Sequence, residues 1–481
     1  MNEAVLFLAV GGVLAFSLVV AYAAARFKIP SLVAFLALGM FIGSDYFNII
    51  NFENAEAARV IGIVGLAAIL FEGGLSTSWR RLRQAAIPAI ALSTIGVVVT
   101  ALLTAVVAHE LLNLPWLYAL LLGSVVSSTD AAAVFATFRF TTIRRRLART
   151  LEAESGVNDP AAIALTIGFI EWIHKSDYGA SHVAILVFEE LGLGLLVGLL
   201  AGGISMWLFS RLPHSVGAFA PVASIAAGAL TFGAADFIGG SGFLAIYIVG
   251  LAIGSTPSRY RSELTVFHEG FAFLSQVAMF IMLGLFVVPS ELMHVAGASV
   301  VIALLLVFLI RPIAVYLSTF RMKFNNQEKI FLGYAGLRGA VPIVLGTFVL
   351  SSHIDHGETI FNVVFFIVLA SALIQGTTLD WVAAKLGVLD ILPKEKQAAI
   401  QADKPQRLKF YVAPQHAIAG VRVREIGLPR WAKVTKIIRG SNRIIPEANT
   451  MIEANDELMI TVPLSKHPEI EDVFTRWRRR V

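Results

Sequence analysis

The stretch LEAESGVNDPAAIALT, residues 151–166, sets Glu152, Glu154, Asn158 and Asp159 at the head of a run that is almost wholly apolar after Pro160. Its surroundings, about 150–173, are long enough to span a bilayer. An ionisable side chain held there costs about 3 kcal/mol or more, so it marks a functional site by default. On a helix Ser155 and Asp159 are four apart and share a face, with Glu154 and Asn158 on the neighbouring one. Pro160 has no N–H, which frees the carbonyl of Gly156. A hydroxyl, a carbonyl oxygen and a carboxylate then meet at membrane depth. Hard cations bind such oxygen sites, and a desolvated carboxylate is one for which protons compete. One group serving both ions is the minimal machinery of an exchanger. The competing reading, Asp159 in a structural ion pair, sits poorly with a proline that spoils the helix beside it.

Outward from this stretch the whole chain favours lipid as its solvent. Of 481 residues 57% are hydrophobic and 15% charged, against about 25% charged in soluble proteins. There is no cysteine, which excludes disulfides, thiol nucleophiles and Cys-based metal centres. The net charge of +5 does not point to nucleic acid, because the basic residues cluster in short loops. The N-terminus opens with Glu3 instead of a basic segment, so it reads as a first span and not as a secretory signal. Runs of span length predict thirteen transmembrane helices, at 4–25, 30–45, 59–76, 85–108, 116–138, 150–173, 182–210, 217–237, 240–255, 265–288, 292–319, 327–350 and 357–386. With that count Arg26, Lys28, Arg80, Arg81, Arg83, Arg139, Arg144, Arg145, Arg146, Arg149, Arg211, Arg259, Arg261, Arg321, Lys323 and Lys329 fall on one side, and Arg59 and Lys175 on the other. The bias puts the N-terminus outside and everything after about residue 387 in the cytoplasm.

Two further spans carry polar interruptions. In the fifth, Ser127-Ser-Thr-Asp130 reads either as an unwound segment lining a cavity, with Asp130 capping the half-helix that follows, or as an intact helix whose hydroxyls bond back to carbonyls. In the twelfth, Gly336-Leu-Arg338-Gly-Ala-Val-Pro342 reads as a second broken helix. Spans 5 and 12 hold equivalent places if spans 1–6 and 8–13 are two halves joined by span 7, the pattern of an inverted-repeat transporter with a midplane site. Arg338 needs a counter-charge, and Glu154 is the assigned partner. Arg311 is another charge within a span. Glu72, near the end of span 3, is either an outer carboxylate of the site or an interfacial residue. Asp236 reads as a helix-cap carboxylate, and Ser275 and Gln276 as interhelical hydrogen-bond partners. No histidines have metal-ligand spacing.

The composition changes near residue 391. The expected organisation is a transmembrane domain at 1–390, a polar linker at 391–406, a small α/β domain at 407–465 with strands at 408–413, 433–439, 443–446 and 457–463, and a basic tail at 466–481. The tail, ending Arg476-Trp477-Arg478-Arg479-Arg480, reads either as lying on an anionic membrane surface or as a solvated end.

The strings SSTDAAAVFATFR (127–139), LEAESGVNDPAAIALT (151–166), FLSQVAMFIMLGL (273–285) and GYAGLRGAVP (333–342) resemble the cation/proton antiporter superfamily in its NhaP-like sodium(potassium)/proton branch, over roughly 5–386. The resemblance implies an all-α polytopic bundle with a core domain that moves as an elevator, and a homodimer in a bacterial inner membrane. It implies Asp159 as ion carrier, Asn158 as an ion-site residue and the mark of electroneutral exchange, Thr129, Asp130 and Ser155 as further ion ligands, and Glu154–Arg338 as a pair holding the core. Relatives often read Thr-Asp-Pro where this chain has Asp130-Ala131, which implies a less sharply broken half-helix. Residues 412–463 resemble the C-terminal lobe of the regulator of potassium conductance module, the TrkA-C type. That pairing implies a potassium/proton antiporter of cell-volume and pH homeostasis with a small regulatory ligand at the lobe. Sodium/proton exchange by the same mechanism is the alternative. A potassium channel regulated by such a lobe would need a carbonyl filter such as T-V-G-Y-G, and an intramembrane aspartyl protease would need different contexts for its two acids; the sequence has neither. The transported ions are substrates, and no resident cofactor is expected.

Overall fold

The computed structural model describes residues 3–27, 31–43, 54–138, 142–175, 177–211, 219–256, 260–287, 289–390, 405–429, 431–440, 442–444, 446–463 and 467–479. Lys28, Arg139, Arg259, Arg480, Ile445 of the 443–446 strand and the linker residues 391–404 lie outside the described residues. The chain divides into two units, Met1–Asp390 and Ile391–Val481.

The first unit is helical. Its helices are α1 (Glu3–Phe27), α2 (Ser31–Ile42), α3 (Ala55–Ser76), α4 (Trp79–Ala91), α5 (Val97–Leu112), α6 (Trp116–Val125), α7 (Ala131–Thr137), α8 (Arg145–His174), α9 (Ala180–Arg211), α10 (Ala220–Phe237), α11 (Gly242–Ser255), α12 (Arg261–Phe286), α13 (Pro289–Leu305), α14 (Arg311–Ser318), α15 (Asn326–Tyr334), α16 (Ala340–Ser351) and α17 (Gly357–Lys385). A π-helical turn at Leu92–Gly96 joins α4 to α5, and another at Leu306–Ile310 joins α13 to α14. Among the described residues seven helical stretches are long and apolar enough to cross a membrane. Shorter apolar helices include α2 before them and α6, α11 and α16 between them.

Local chemistry explains several boundaries. Asn54 caps α3 by accepting from the Ala57 N–H at 2.9 Å. Asn325 and Glu328 form a reciprocal capping box at α15. Helices approach closely where glycine removes the side chain. A methyl at Gly254 of α11 would collide with the backbone of Leu75 in α3, and one at Gly284 of α12 with Gly39 in α2. Close backbone contact through small residues is how helices associate without a hydrophobic drive from water.

The interrupted spans settle as two different cases. The fifth is divided: the chain leaves helical geometry after Val125 and resumes at Ala131. The Asp130-Ala131 departure therefore does not blunt the break. The twelfth is divided between Tyr334 and Ala340. The sixth is one helix, α8, which runs unbroken through Pro160. A two-residue antiparallel ladder, β1 (Thr142–Ile143) with β2 (Leu389–Asp390), ties the loop before α8 to the end of the unit. Arg144 secures it, donating its N–H to Val388 O at 3.0 Å and a guanidinium N–H to Gly387 O at 2.8 Å.

The second unit holds a four-stranded antiparallel sheet in the order β3-β6-β4-β5, with β3 at Pro405–Tyr411, β4 at Lys433–Arg439, β5 at Asn442–Ile444 and β6 at Glu457–Pro463. Pro405 and Gln406, read as linker, belong to β3. The basic tail is also corrected. His467–Arg478 forms helix α18, whose Ile470, Val473, Phe474 and Trp477 enter the core of this unit. Trp477 donates its indole N–H to Ile426 O at 2.7 Å. The apolar positions 470, 473, 474 and 477 follow helical spacing, so this segment is folded and not a solvated end.

Candidate functional site

The two breaks face each other. The Asp130 N–H donates to Leu337 O at 2.8 Å, joining the gap after α6 to the gap before α16. Asp130 caps α7, its Oδ1 accepting the Ala133 N–H at 2.9 Å. A carboxylate suits the positive end of a helix dipole. The carbonyl end of α6 receives the opposite charge: Arg338, from the second break, donates to Ser127 O at 2.8 Å and to Ser128 O. Both sides of the first break thus meet a group of complementary charge.

α8 braces the first break from the side. Asn158 Nδ2 donates to Thr129 Oγ1 at 2.7 Å, and Ser155 Oγ accepts the Ala131 N–H at 3.4 Å. Asp159, one residue on, is 6% exposed, and its Oδ1 has no hydrogen-bond partner. It lines a cavity of about 240 Å³ with Thr129, Asp130, Ser155, Glu72 and Pro342. The cavity extends to the ends of α3 and α7 that carry Ser76 and Phe135. Glu72 is half-buried on its wall and accepts from Ser76 Oγ at 2.6 Å. Of the residues expected at the site from sequence, Asp159, Asp130, Thr129, Ser155 and Glu72 line this cavity and Asn158 does not. Asn158 acts on Thr129.

Two glycines make room. A methyl on Gly339 would lie 2.6 Å from Asp130 Cβ and Cγ, and one on Gly156 would enter the ring of Tyr247. Tyr247 thereby reaches the cavity wall from α11.

One expected pair is overturned. Glu154 does not serve Arg338; it forms a buried salt bridge with Arg311 at the start of α14. Glu154 projects from α8 toward the π turn of the fourth span, where Ser93 Oγ donates to the Glu154 carbonyl at 3.0 Å. Arg311 lies in the same place, against Gly96 and Gly336. Arg338 finds its compensation in the Ser127 and Ser128 carbonyls of the first break instead. Sequence reasoning also missed the relay behind the second break. The Arg338 N–H donates to Ser371 Oγ at 2.9 Å, Ser371 Oγ donates to Gln375 Oε1, and Gln375 Nε2 donates to Tyr334 O. Ser371 and Gln375 are four apart in an otherwise apolar stretch of α17, and that spacing was the available signal. Asp236 sits in the last turn of α10, its carbonyl accepting the Gly239 N–H at 3.0 Å.

Residues 13–385 match the family model described as sodium/hydrogen exchanger, transmembrane. The chain is 33% identical over 464 residues to a K(+)/H(+) antiporter NhaP2 of Shewanella sp. (strain MR-4), covering 94% of this chain and 80% of that protein. It is 34% identical over 477 residues to the K(+)/H(+) antiporter NhaP of Alkalimonas amylolytica, covering 97% and 83%. The structure of the sodium proton antiporter MjNhaP1 from Methanocaldococcus jannaschii superposes with a TM-score of 0.70 at 25% identity, covering 79% of this chain and 99% of that one.

Proposed function

From the premise that the chain belongs to the sodium/hydrogen exchanger family and is a membrane antiporter of monovalent cations and protons, we propose that Asp159 is the carboxylate for which the two ions compete. The observation that carries this is the buried Asp159 Oδ1, unpartnered at the wall of a cavity framed by two broken helices. Thr129, Asp130 and Ser155 supply further oxygens around the cation. Glu72 stands nearer the mouth, where it gathers cations. Asp130 is engaged by the α7 cap, and on this reading Asp159 alone exchanges its ion, one cation against one proton. That arithmetic is one-for-one, electroneutral exchange.

The cycle is alternating access. Facing one side, Asp159 gives up its proton and takes a cation; the neutralised core moves as an elevator; the same carboxylate returns with a proton. A buried charge is costly to move through lipid, so the core moves only when the site is filled. The cavity reaches the helix ends on the basic side, consistent with a cytoplasm-facing form, an outside N-terminus and a cytoplasmic second unit in a bacterial inner membrane.

The architecture we propose is thirteen spans in two inverted repeats. A π turn, a broken helix and a long helix follow in that order at 92–96, 126–130 and α8, and again at 306–310, 335–339 and α17. This recurrence favours a midplane site. The protein works as a homodimer. The second unit is a TrkA-C-like lobe that binds a small regulator, and the pairing makes potassium the preferred cation; the relatives named for potassium/proton exchange support this, with sodium as the alternative.

The test is proton exchange in everted vesicles on adding potassium or sodium, with wild type beside Asp159→Asn. Potassium is expected to release protons from wild type and not from the variant, at equal amounts of folded protein. Exchange by the variant at the wild-type rate would remove Asp159 from the mechanism, and activity with sodium alone would reverse the ion assignment only.

A further inference from the structure

A second concavity, of about 670 Å³, lies apart from the Asp159 cavity. Its walls come from α9, α11, the first turn of α4 and the first residue of α12. Leu199 and Met206 of α9 face Ile248 and Leu251 of α11 along an apolar floor. Gly203 opens onto it, with no atom within 4 Å of where a Cβ would stand. At the end where α11 stops and α4 and α12 begin, the lining holds Arg80 and Arg261 and no acid. Both are exposed, and neither takes part in an ion pair among the described residues. Trp79 stands beside them, 54% exposed, its backbone N–H donating to Ser255 Oγ at 3.0 Å.

We propose that this groove binds one anionic phospholipid, with its phosphate on Arg80 and Arg261 and an acyl chain along α9 and α11. The argument is chemical complementarity. From Leu199 to Met206 the floor runs about 10 Å at the helical rise, which suits the upper part of an acyl chain and exceeds what a soluble anion needs. Only 17% of the apolar window of α9 is buried in the protein, so lipid already borders the groove. A half-exposed tryptophan at one end marks the headgroup level. Two unpaired arginines favour a negative headgroup, and basic pockets between spans on the cytoplasmic side recognise such lipids. A zwitterionic headgroup would bring its own cation against them.

The lipid would touch the start of α4, which packs against α8, the helix that carries Asp159. Its occupancy would therefore bear on the core from outside the ion pathway. The site does not depend on which cation is carried, and its test reads binding, so it stands or falls separately from the exchange mechanism.

The full-length protein in mild detergent is titrated with dioleoylphosphatidylglycerol or dioleoylphosphatidylcholine, and bound lipid is counted by native mass spectrometry. One phosphatidylglycerol per protomer is expected to persist in preference to phosphatidylcholine. At about fivefold in affinity per arginine, Arg80→Gln with Arg261→Gln should weaken it about 25-fold. Arg145→Gln, an exposed arginine outside the lining, should leave it unchanged. Gly203→Leu fills the groove and should displace the lipid without removing charge, so it reads the site even if the double variant does not fold. Equal retention of the two lipids by wild type, or wild-type retention of phosphatidylglycerol by either groove variant, overturns the proposal.

Discussion

Glu154 is wholly buried, and so is the guanidinium it pairs with; the two come from residues 157 apart in sequence. Leaving either charge alone in that interior costs about 3–5 kcal/mol, whereas removing both together costs much less. A double-mutant cycle therefore identifies the pair. Glu154→Gln and Arg311→Gln are expected to couple by about 1–3 kcal/mol in thermal unfolding of the detergent-solubilised protein, and Glu154→Gln with Arg338→Gln by less. A larger coupling to Arg338 would return it to the role the sequence assigned. The misassignment has a physical cause. A charge in an apolar run announces that a partner exists, but which partner depends on how α8 is rotated against α14 and α15, and no local spacing encodes that rotation. Asp159 was legible for the opposite reason: its signal is local, an acid beside a proline in a span, four residues from a hydroxyl.

At the scale of elements, the breaks were legible because glycine, proline and short hydroxyl runs interrupt apolar sequence at 127–130 and 336–342. What holds them open was not. The π turns at 92–96 and 306–310 carry no glycine–proline or acidic signal, and only the packing of Arg311 against Gly96 and Gly336 shows the use of this region. The tail helix was misread because Arg476 and Arg478 hide a helical row of apolar residues that becomes a core only against the sheet. The relay from α17 belongs to the same class. Ser371→Ala leaves the Arg338 N–H and Gln375 Oε1 buried with nothing to meet them, a loss of about 1–3 kcal/mol. Thr377→Ala on the exposed face of the same helix is expected to stay within about 0.5 kcal/mol. Comparing their unfolding temperatures checks this, and equal shifts would mean that the second break does not lean on α17. Exchange by Ser371→Ala should fall with stability, since Arg338 would lose its register against the Ser127 and Ser128 carbonyls beside the site.

For the whole molecule, the decisive quantity is how many charges the moving core must neutralise. Asp130 is held by its cap and Glu154 by Arg311, while Asn158 carries no charge. On the proposed mechanism Asp159 is the carboxylate that takes the ion, with Glu72 and Glu152 also on the cavity wall, and a proton or a monovalent cation completes it equally. Competition at one group has a fixed signature: on its acid limb the cation concentration giving half-maximal exchange rises tenfold for each unit by which pH falls, and it levels off once protons no longer occupy the site. Wild-type proteoliposomes should show this rise with little change in maximal rate at saturating cation. On supported membranes a cation jump should move no net charge, while an internal pH dye reports exchange. A steady current would mean that a second carboxylate, with Glu72 a candidate on the cavity wall, titrates in the cycle as well. Glu72→Gln would then abolish the current and leave exchange running. If the current is absent from the start, Glu72→Gln should raise the half-maximal cation concentration alone, because a carboxylate at the mouth concentrates cations without travelling with them.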